Sequence, residues 1–413
     1  MSGSRWARGR RGGRRRRHLR ASLRRHGLAR RPRSIRRLFP VRGLRFTDGN
    51  RVRLFETGRE GLHAMLEAIR GAEHHVHLET YILRADETGR RFLSALAERA
   101  RAGVQVRILY DAVGSRGLDE AALLPLRSAG GDVMAFQPLS WLGRGFRPRR
   151  RDHRKILVVD GRVAFTGGLN IGQEYERGLA PGDRGWRDAH ICLEGPAVRD
   201  LEALFLESWF RADAPDLPWQ SFLDAAPAPC GEVRCAIVPD GPVYRRRRAC
   251  ELLIAALDGA GRYARFETPY FAPGKGVLDA LGRASERGVE VDLVLAGRTD
   301  HPMLRRAVRA ILPRLLARGL RVHEYEEEMM HAKLAAFDDQ WAILGTSNLD
   351  RQSLEHSYEV NVIFEGGELP ALLGKRILED AQRSHRIDEE TLESRAPLDR
   401  LLDRLASLLL FLI

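Results

Sequence analysis

The chain repeats itself, and a chain written twice on one pattern is restricted to folds that two equal units can share. Residues 68–83, "AIRGAEHHVHLETYIL", answer to 256–271, "ALDGAGRYARFETPYF". Residues 93–115, "LSALAERARAGVQVRILYDAVGS", answer to 278–300, "LDALGRASERGVEVDLVLAGRTD". In each half a helical stretch leads to a strand ending in Glu-Thr, a second helix ends at a glycine (Gly103, Gly288) and a β-rich run follows. This alternation predicts α/β layering, with helices covering a largely buried sheet. Between the halves, "DAPDLPWQSFLDAAPAPCGE" at 214–233 is rich in Pro and Ala and reads as a linker.

The repeat continues through its most informative stretch. "HRKILVVDGRVAFTGGLN" at 153–170 aligns with "HAKLAAFDDQWAILGTSNLD" at 331–350, matching His153 with His331, Lys155 with Lys333, Asp160 with Asp338 and Asn170 with Asn348. Lysine is rare here: of 69 Lys plus Arg only Lys155, Lys275, Lys333 and Lys375 are lysines, and two of them fall at matching places. On a strand, residues two apart share a face, so each His-Lys pair can reach one ligand. Asp160-Gly161 predicts a two-residue hairpin pairing Val159 with Arg162 and His153 with Gly168, and Asp338-Asp339 likewise sets His331 opposite Thr346. Gly167, Gly168, Gly345, Thr346 and Ser347 are then small neighbours of the pairs, and Asn170 and Asn348 emerge just beyond. The aspartates fall at the hairpin tips, over roughly 15 Å from the histidines by the rise of a strand, which favours a structural role.

Two copies joined by a pseudo-twofold set two histidines, two lysines and two asparagines around one pocket, a set suited to a phosphodiester. Lysines and amides can hold the non-bridging oxygens as charge develops. One neutral histidine can attack phosphorus while a protonated one gives its proton to the departing oxygen. A carboxylate on the far ring nitrogen commonly orients such a histidine, and Asp188 in "GWRDAHICLEG" and Glu359 in "HSYEVNVIFEG" stand at matching places. His74, His75, His77, His190, His323 and His356 read as structural, and "YRRRR" at 244–248 as the solvated face of a helix. Glu79 and Glu267 recur in both repeats, either lining the pocket or buried against the sheet. Neither a metal nor an organic cofactor is expected.

With 44% hydrophobic residues the 413-residue chain is not disordered throughout. Its net charge of +14 is unevenly placed, because residues 1–47 hold 18 Arg and no acid; taking those 18 charges from +14 leaves −4 for residues 48–413. The expected organisation is an Arg-rich disordered tail at 1–46, repeats at 47–213 and 234–386 around the 214–233 linker, and an amphipathic segment at 387–413. The tail can hold an anionic membrane surface or nucleic acid. No run is long enough to span a bilayer, although "PLDRLLDRLASLLLFLI" could lie on one or pack on its own domain. "PLSWLGRGFRPRRR" at 138–151 mixes Trp141 and Phe146 with arginines, a composition suited to membrane contact. Cys192, Cys230, Cys235 and Cys250 show no metal-ligand spacing and imply a reducing compartment.

The two motifs resemble the duplicated HxKxxxxD motifs of the phospholipase D superfamily, both complete. "RILYDAVGS", "WRDAHICLEGPAV", "ETPYFAP" and "SNLDRQSLEHSYEVNVIFEG" are further similar to bacterial cardiolipin synthases that lack amino-terminal transmembrane helices, over about residues 47–385. The resemblance implies duplicated α/β/α sandwich domains with the active site between the halves. It implies a peripheral enzyme on the cytoplasmic face of the bacterial membrane that moves a phosphatidyl group between phosphatidylglycerols through a phosphohistidine. His153, Lys155, Asp160, His331, Lys333 and Asp338 are then the catalytic motif residues, with His153 taken as nucleophile. Asn170, Asn348, Ser347 and Gly168 would meet the phosphate, and Asp188 and Glu359 would orient the histidines. A hydrolytic phospholipase D, a nuclease on the same constellation and a nucleic-acid-binding module using the tail are the alternatives.

Overall fold

The computed structural model describes residues 44–138, 150–177, 185–244, 248–299 and 301–409. Most of the arginine tail, together with Trp141 and Phe146, lies outside them. The first half contributes strands β1 (Thr47–Thr57), β2 (His75–Thr80), β3 (Gln105–Asp111), β4 (Asp132–Phe136), β5 (Ile156–Val159), β6 (Val163–Gly167) and β7 (Arg187–Glu194). The second contributes β8 (Val233–Asp240), β9 (Tyr263–Thr268), β10 (Phe271–Ala272), β11 (Glu290–Ala296), β12 (Arg321–Tyr325), β13 (Leu334–Phe337), β14 (Trp341–Gly345), β15 (Leu349–Asp350), β16 (Glu359–Glu365) and β17 (His385–Ile387).

Fifteen of these strands form one sheet in the order β17-β12-β11-β9-β13-β14-β16-β8-β1-β7-β6-β5-β2-β3-β4. Read outward from its centre, β1-β7-β6-β5-β2-β3-β4 mirrors β8-β16-β14-β13-β9-β11-β12, so the sequence repeat is a pseudo-twofold passing between β1 and β8. Those two strands pair antiparallel, Thr47 with Cys235 and Asn50 with Val233, which joins the halves through backbone hydrogen bonds. In each half the strands β2-β3-β4 and β9-β11-β12 run parallel, joined by crossovers such as the helices Glu87–Arg101 and Lys275–Glu286.

Helices cover both faces, as the near-continuous apolar strands require. Leu62, Leu66, Ile69, Phe92 and Leu96 pack on one face of the first half, and Leu252, Leu257, Ala280 and Leu281 on that of the second. On the other face a single apolar cluster runs through both halves, from Val158, Ile191 and Leu201 to Met330, Val360 and Ile377. The helices Val198–Arg211 and Leu369–Arg383 cover it at matching places after β7 and β16. Segment 214–232 carries no helix or strand, yet it packs: Leu217 and Leu223 are buried with Trp209, and Phe222 meets the rings of His75 and His77. It is a strap across the first half.

The motif hairpins differ from expectation by one residue. Asp160 and Gly161 both take positive φ, as do Asp338 and Asp339, and the turns close through Arg162 N to Val159 O and Gln340 N to Phe337 O. The ladders, however, pair Val159 with Val163 and Phe337 with Trp341. Arg162 and Gln340 are bulged out, so each tip holds three residues and the predicted pairings of His153 with Gly168 and His331 with Thr346 shift by one. The strands also start later, at Ile156 and Leu334, leaving each His-Lys pair on extended chain ahead of the ladder.

Candidate active site

Each motif histidine is clamped by the opposite half. His153 N donates to Tyr358 O at 2.9 Å while Tyr358 N donates to Arg151 O at 2.8 Å. Symmetrically, His331 N donates to Arg187 O at 2.7 Å and Arg187 N to Met329 O at 2.9 Å. Tyr358 and Arg187 directly precede the two carboxylates, so these backbone clasps deliver each acid to the other half's histidine. Nδ1 of His153 lies 3.0 Å from Glu359 Oε2, and Nδ1 of His331 lies 2.7 Å from Asp188 Oδ2. With both Nδ1 atoms engaged, the two Nε2 atoms are the nitrogens left for chemistry.

The lysines fold back on the same stretches. Lys155 Nζ donates to His153 O at 2.8 Å, and Lys333 Nζ reaches His331 O and lies 3.0 Å from His331 Nδ1. The Tyr81 ring meets both members of the first pair, 4.8 Å from the His153 ring and 5.3 Å from Lys155 Nζ, which places His153 and Lys155 on one side of the chain. His331 is packed by Tyr175 and Trp186, at 5.4 and 5.3 Å between ring centroids.

Burial and crowding of positive charge set the protonation of the site. Burial, then Lys155 and Lys333, hold His153 well below the usual imidazole range; burial and Lys333 bring His331 down to about 4. Burial pulls the Lys155 ammonium down to about 7 although Glu359 counters it. The two acids part company. Burial pushes Glu359 up to about 8 despite Lys155, whereas for Asp188 the effect of burial is overcome by His331 and Lys333, which hold its carboxyl below the ordinary aspartate value.

The remaining expected residues divide. Thr346 Oγ1 donates to Glu359 Oε2, and a Cβ at the matching Gly168 would lie 2.6 Å from Asp188 Cγ, so Gly168 makes room for the first-half carboxylate. Asn170 is tied internally: its Nδ2 donates to the Tyr175 hydroxyl at 2.6 Å and its Oδ1 accepts from Ile82 N at 3.1 Å. Asn348 Oδ1 is buried without a hydrogen bond among the described residues, while Ser347 Oγ accepts from Asn361 at 2.8 Å. Asp160 and Asp338 are at the hairpin tips, away from the histidines. Asp160 accepts from the amides of Glu73, His74 and His75 at 2.7–2.9 Å, and Asp338 from those of Gly261, Arg262 and Tyr263 at 2.7–2.9 Å.

Glu79 and Glu267 are fully buried, and burial pushes both upward, Glu267 to about 7; Glu267 and Lys333 share the lining of one cavity with Ser347 and Asn361. Among the described residues His75, His77 and Glu202 have metal-ligand chemistry within 4.8 Å of one another. Glu202 bonds both rings and Arg107 lies 3.1 Å from His77 Nε2, a connected hydrogen-bond network near the Asp160 turn. Tyr244, expected on a solvated face, is a corner of the interface instead, accepting from Arg154 at 3.1 Å and donating to Glu207 at 2.6 Å.

Sequence reasoning passed over Arg154, Tyr81 and Trp186. Arg154, between the motif His and Lys, is fully buried and reaches Glu359 O and Ser208 Oγ at 3.3 and 2.9 Å. Its burial was unreadable because the matching residue is Ala332. Tyr81 follows the repeated Glu-Thr directly, and Trp186 stands two places before Asp188, so adjacency to repeated elements was the available signal.

The chain is similar to known proteins. A family profile described as "Cardiolipin synthase, PLD-like domain" matches residues 65–178 and 253–380. The cardiolipin synthase of Geobacillus kaustophilus is 35% identical over 82% of this chain and 67% of its own length. The major cardiolipin synthase ClsA of Bacillus subtilis is 36% identical over 76% of this chain and 66% of its own. In fold, the phosphatidylserine synthase of Haemophilus influenzae superposes with a TM-score of 0.67 at 12% identity, covering 86% of this chain and 93% of that one. Duplicated motifs, duplicated fold and sequence agree: this chain belongs to the cardiolipin synthase family of phospholipase D-like proteins.

Proposed function

We propose that the chain is a cardiolipin synthase, a phosphatidyltransferase that joins two phosphatidylglycerols and releases glycerol. The observation that carries this is the pair of histidines, each held at Nδ1 by a carboxylate of the opposite half and each beside a lysine, in a member of this family. His153 Nε2 attacks the phosphorus of the first phosphatidylglycerol, the bond to the glycerol oxygen breaks, and His331 gives that oxygen its proton. His331, now neutral, takes the proton from a hydroxyl of a second phosphatidylglycerol, whose oxygen displaces His153 from phosphorus to give cardiolipin.

The unequal acids support this division of labour. Ionised Asp188 can stabilise an imidazolium at His331, whereas Glu359, held up to about 8, keeps its proton at neutral pH and leaves His153 uncharged. Burial and the two lysines leave both histidines neutral in the free site; an anionic phosphodiester between Lys155 and Lys333 offsets the lysine charge, and His331, beside ionised Asp188, takes up its proton as the substrate binds. Asn348 is the asparagine left for the substrate, through its Nδ2, because the Nδ2 and Oδ1 of Asn170 are spent on Tyr175 and Ile82. No helix among the described residues is long and apolar enough to cross a membrane, and we place the enzyme peripherally at the cytoplasmic membrane surface, where its substrate resides.

Purified protein with phosphatidylglycerol vesicles, read by lipid mass spectrometry, should form cardiolipin, and His153→Ala or His331→Ala should abolish it. Quenching at neutral pH should trap a phosphatidyl adduct on the peptide carrying His153; an adduct on the His331 peptide would reverse the assignment. Cleavage of DNA in a parallel tube without lipid turnover would reject the function itself.

A further inference from the structure

The helix Pro397–Leu409 is packed inside out. Its inward face holds Asp403 and Ala406, 4% and 2% exposed, and Asp403 pairs there with Arg306 at 3.4 Å and with Arg395. Asp399 reaches the same Arg306 at 3.1 Å. Leu398, Leu401, Leu402 and Leu405 point away from the protein, 66, 53, 39 and 51% exposed. An ordinary surface helix does the opposite, burying its leucines and leaving its carboxylates in water. The helix beneath, Pro302–Arg309, adds Met303, itself 54% exposed.

We propose that this leucine face is a docking surface for an anionic lipid bilayer. Three further observations select that occupant. Arg400 and Arg404 are exposed beside the leucines, where long cationic side chains can keep their charge at lipid headgroups. Residues 404–413 hold no acid, and Leu408, Leu409 and Leu412 extend the apolar spacing. The helix beneath also starts at the end of the sheet that carries the second motif: His301, just ahead of Pro302–Arg309, meets Tyr270 at 5.2 Å, two residues beyond the end of β9, whose Glu267 pairs with Leu334 next to Lys333. A second copy of the chain fits less well, because a twofold contact would bring like-charged Arg400 and Arg404 together. The inference rests on the reading that the substrate is a membrane phospholipid.

The test uses the full chain carrying Leu401→Ser with Leu405→Ser, and Leu401→Met with Leu405→Met as an apolar control. Co-sedimentation is measured with vesicles of phosphatidylglycerol and phosphatidylcholine in equal parts, in about 0.5 M salt so that the arginine tail is screened. The unaltered chain and the Met variant should sediment, and the Ser variant should lose about tenfold or more in vesicle affinity. Turnover of a water-soluble, short-chain phosphatidylglycerol should be equal in all three, which shows that the Ser variant is folded. Equal sedimentation of the Ser variant, or failure of the unaltered chain to sediment, overturns the docking surface. Vesicle binding intact, with a dimer turned monomer by the Ser change in light scattering, assigns the face to a second copy instead. No cardiolipin from soluble substrate in any of the three defeats the functional reading and leaves the sedimentation result standing.

Discussion

Glu359 and Asp188 occupy matching places in the two halves, yet only one is ionised at neutral pH. Burial keeps Glu359 protonated up to about 8 against the opposing pull of Lys155 and of the Thr346 hydroxyl, while His331 and Lys333 keep Asp188 charged. Glu359→Gln, which imitates the neutral acid, should therefore lower cardiolipin formation by less than about tenfold, and Asp188→Asn by about a hundredfold. Equal losses would show that both acids work as anions. The same protons set the alkaline side of the pH profile. As pH rises past about 7 and 8, Lys155 loses the positive charge that attracts a phosphodiester and Glu359 gains a negative one that repels it. Initial rates should fall through that range, and Glu359→Gln should make the fall less steep by removing one of the two ionisations.

At the scale of elements, the hairpin tips do the work that a reading of the motif alone would give to catalysis. Asp160 and Asp338 each gather three backbone amides at the turn into β2 and β9, which pins the hairpin carrying the His-Lys pair against the parallel strands. Asp160→Ala should cost about 1–2 kcal/mol in denaturant unfolding, the lower part of the range for charged acceptors because the turn is solvated, with turnover per folded molecule preserved. Loss of turnover at unchanged stability would return Asp160 to the chemistry.

The hairpins were legible because Asp-Gly at Asp160-Gly161 demands a left-handed turn, and the repeat copied it at Asp338-Asp339. Their register was not, since bulging of Arg162 and Gln340 leaves no mark in hydrophobic pattern. Nor does local sequence say that Asn170 is consumed by Tyr175 and Ile82, contacts made by loop closure. The candidates Asp188 and Glu359 could be found by alignment of the halves. Their exchange between histidines could not, because it depends on backbone clasps between residues more than a hundred positions apart.

For the molecule as a whole, charge is unevenly spread along the chain. Residues 48–413 carry −4 and residues 1–47 carry +18, so attraction to an anionic bilayer at low salt rests with the amino-terminal segment. Removing residues 1–43 should sharply weaken vesicle binding in dilute buffer and make little difference in about 0.5 M salt, where the Debye length is only a few ångström. A truncation effect that persists in high salt would give the tail a role beyond charge.

The exchange of carboxylates also ties chemistry to synthesis. A ribosome releases His153 and Lys155 long before β16 exists, and Glu359, the partner that orients His153, is among the last parts of the sheet to be made. Asp188 likewise waits for His331. A nascent chain that has not reached His331 holds no finished histidine–acid pair, and one that ends between His331 and Glu359 holds only that of His331 with Asp188, so no fragment short of β16 carries the complete site.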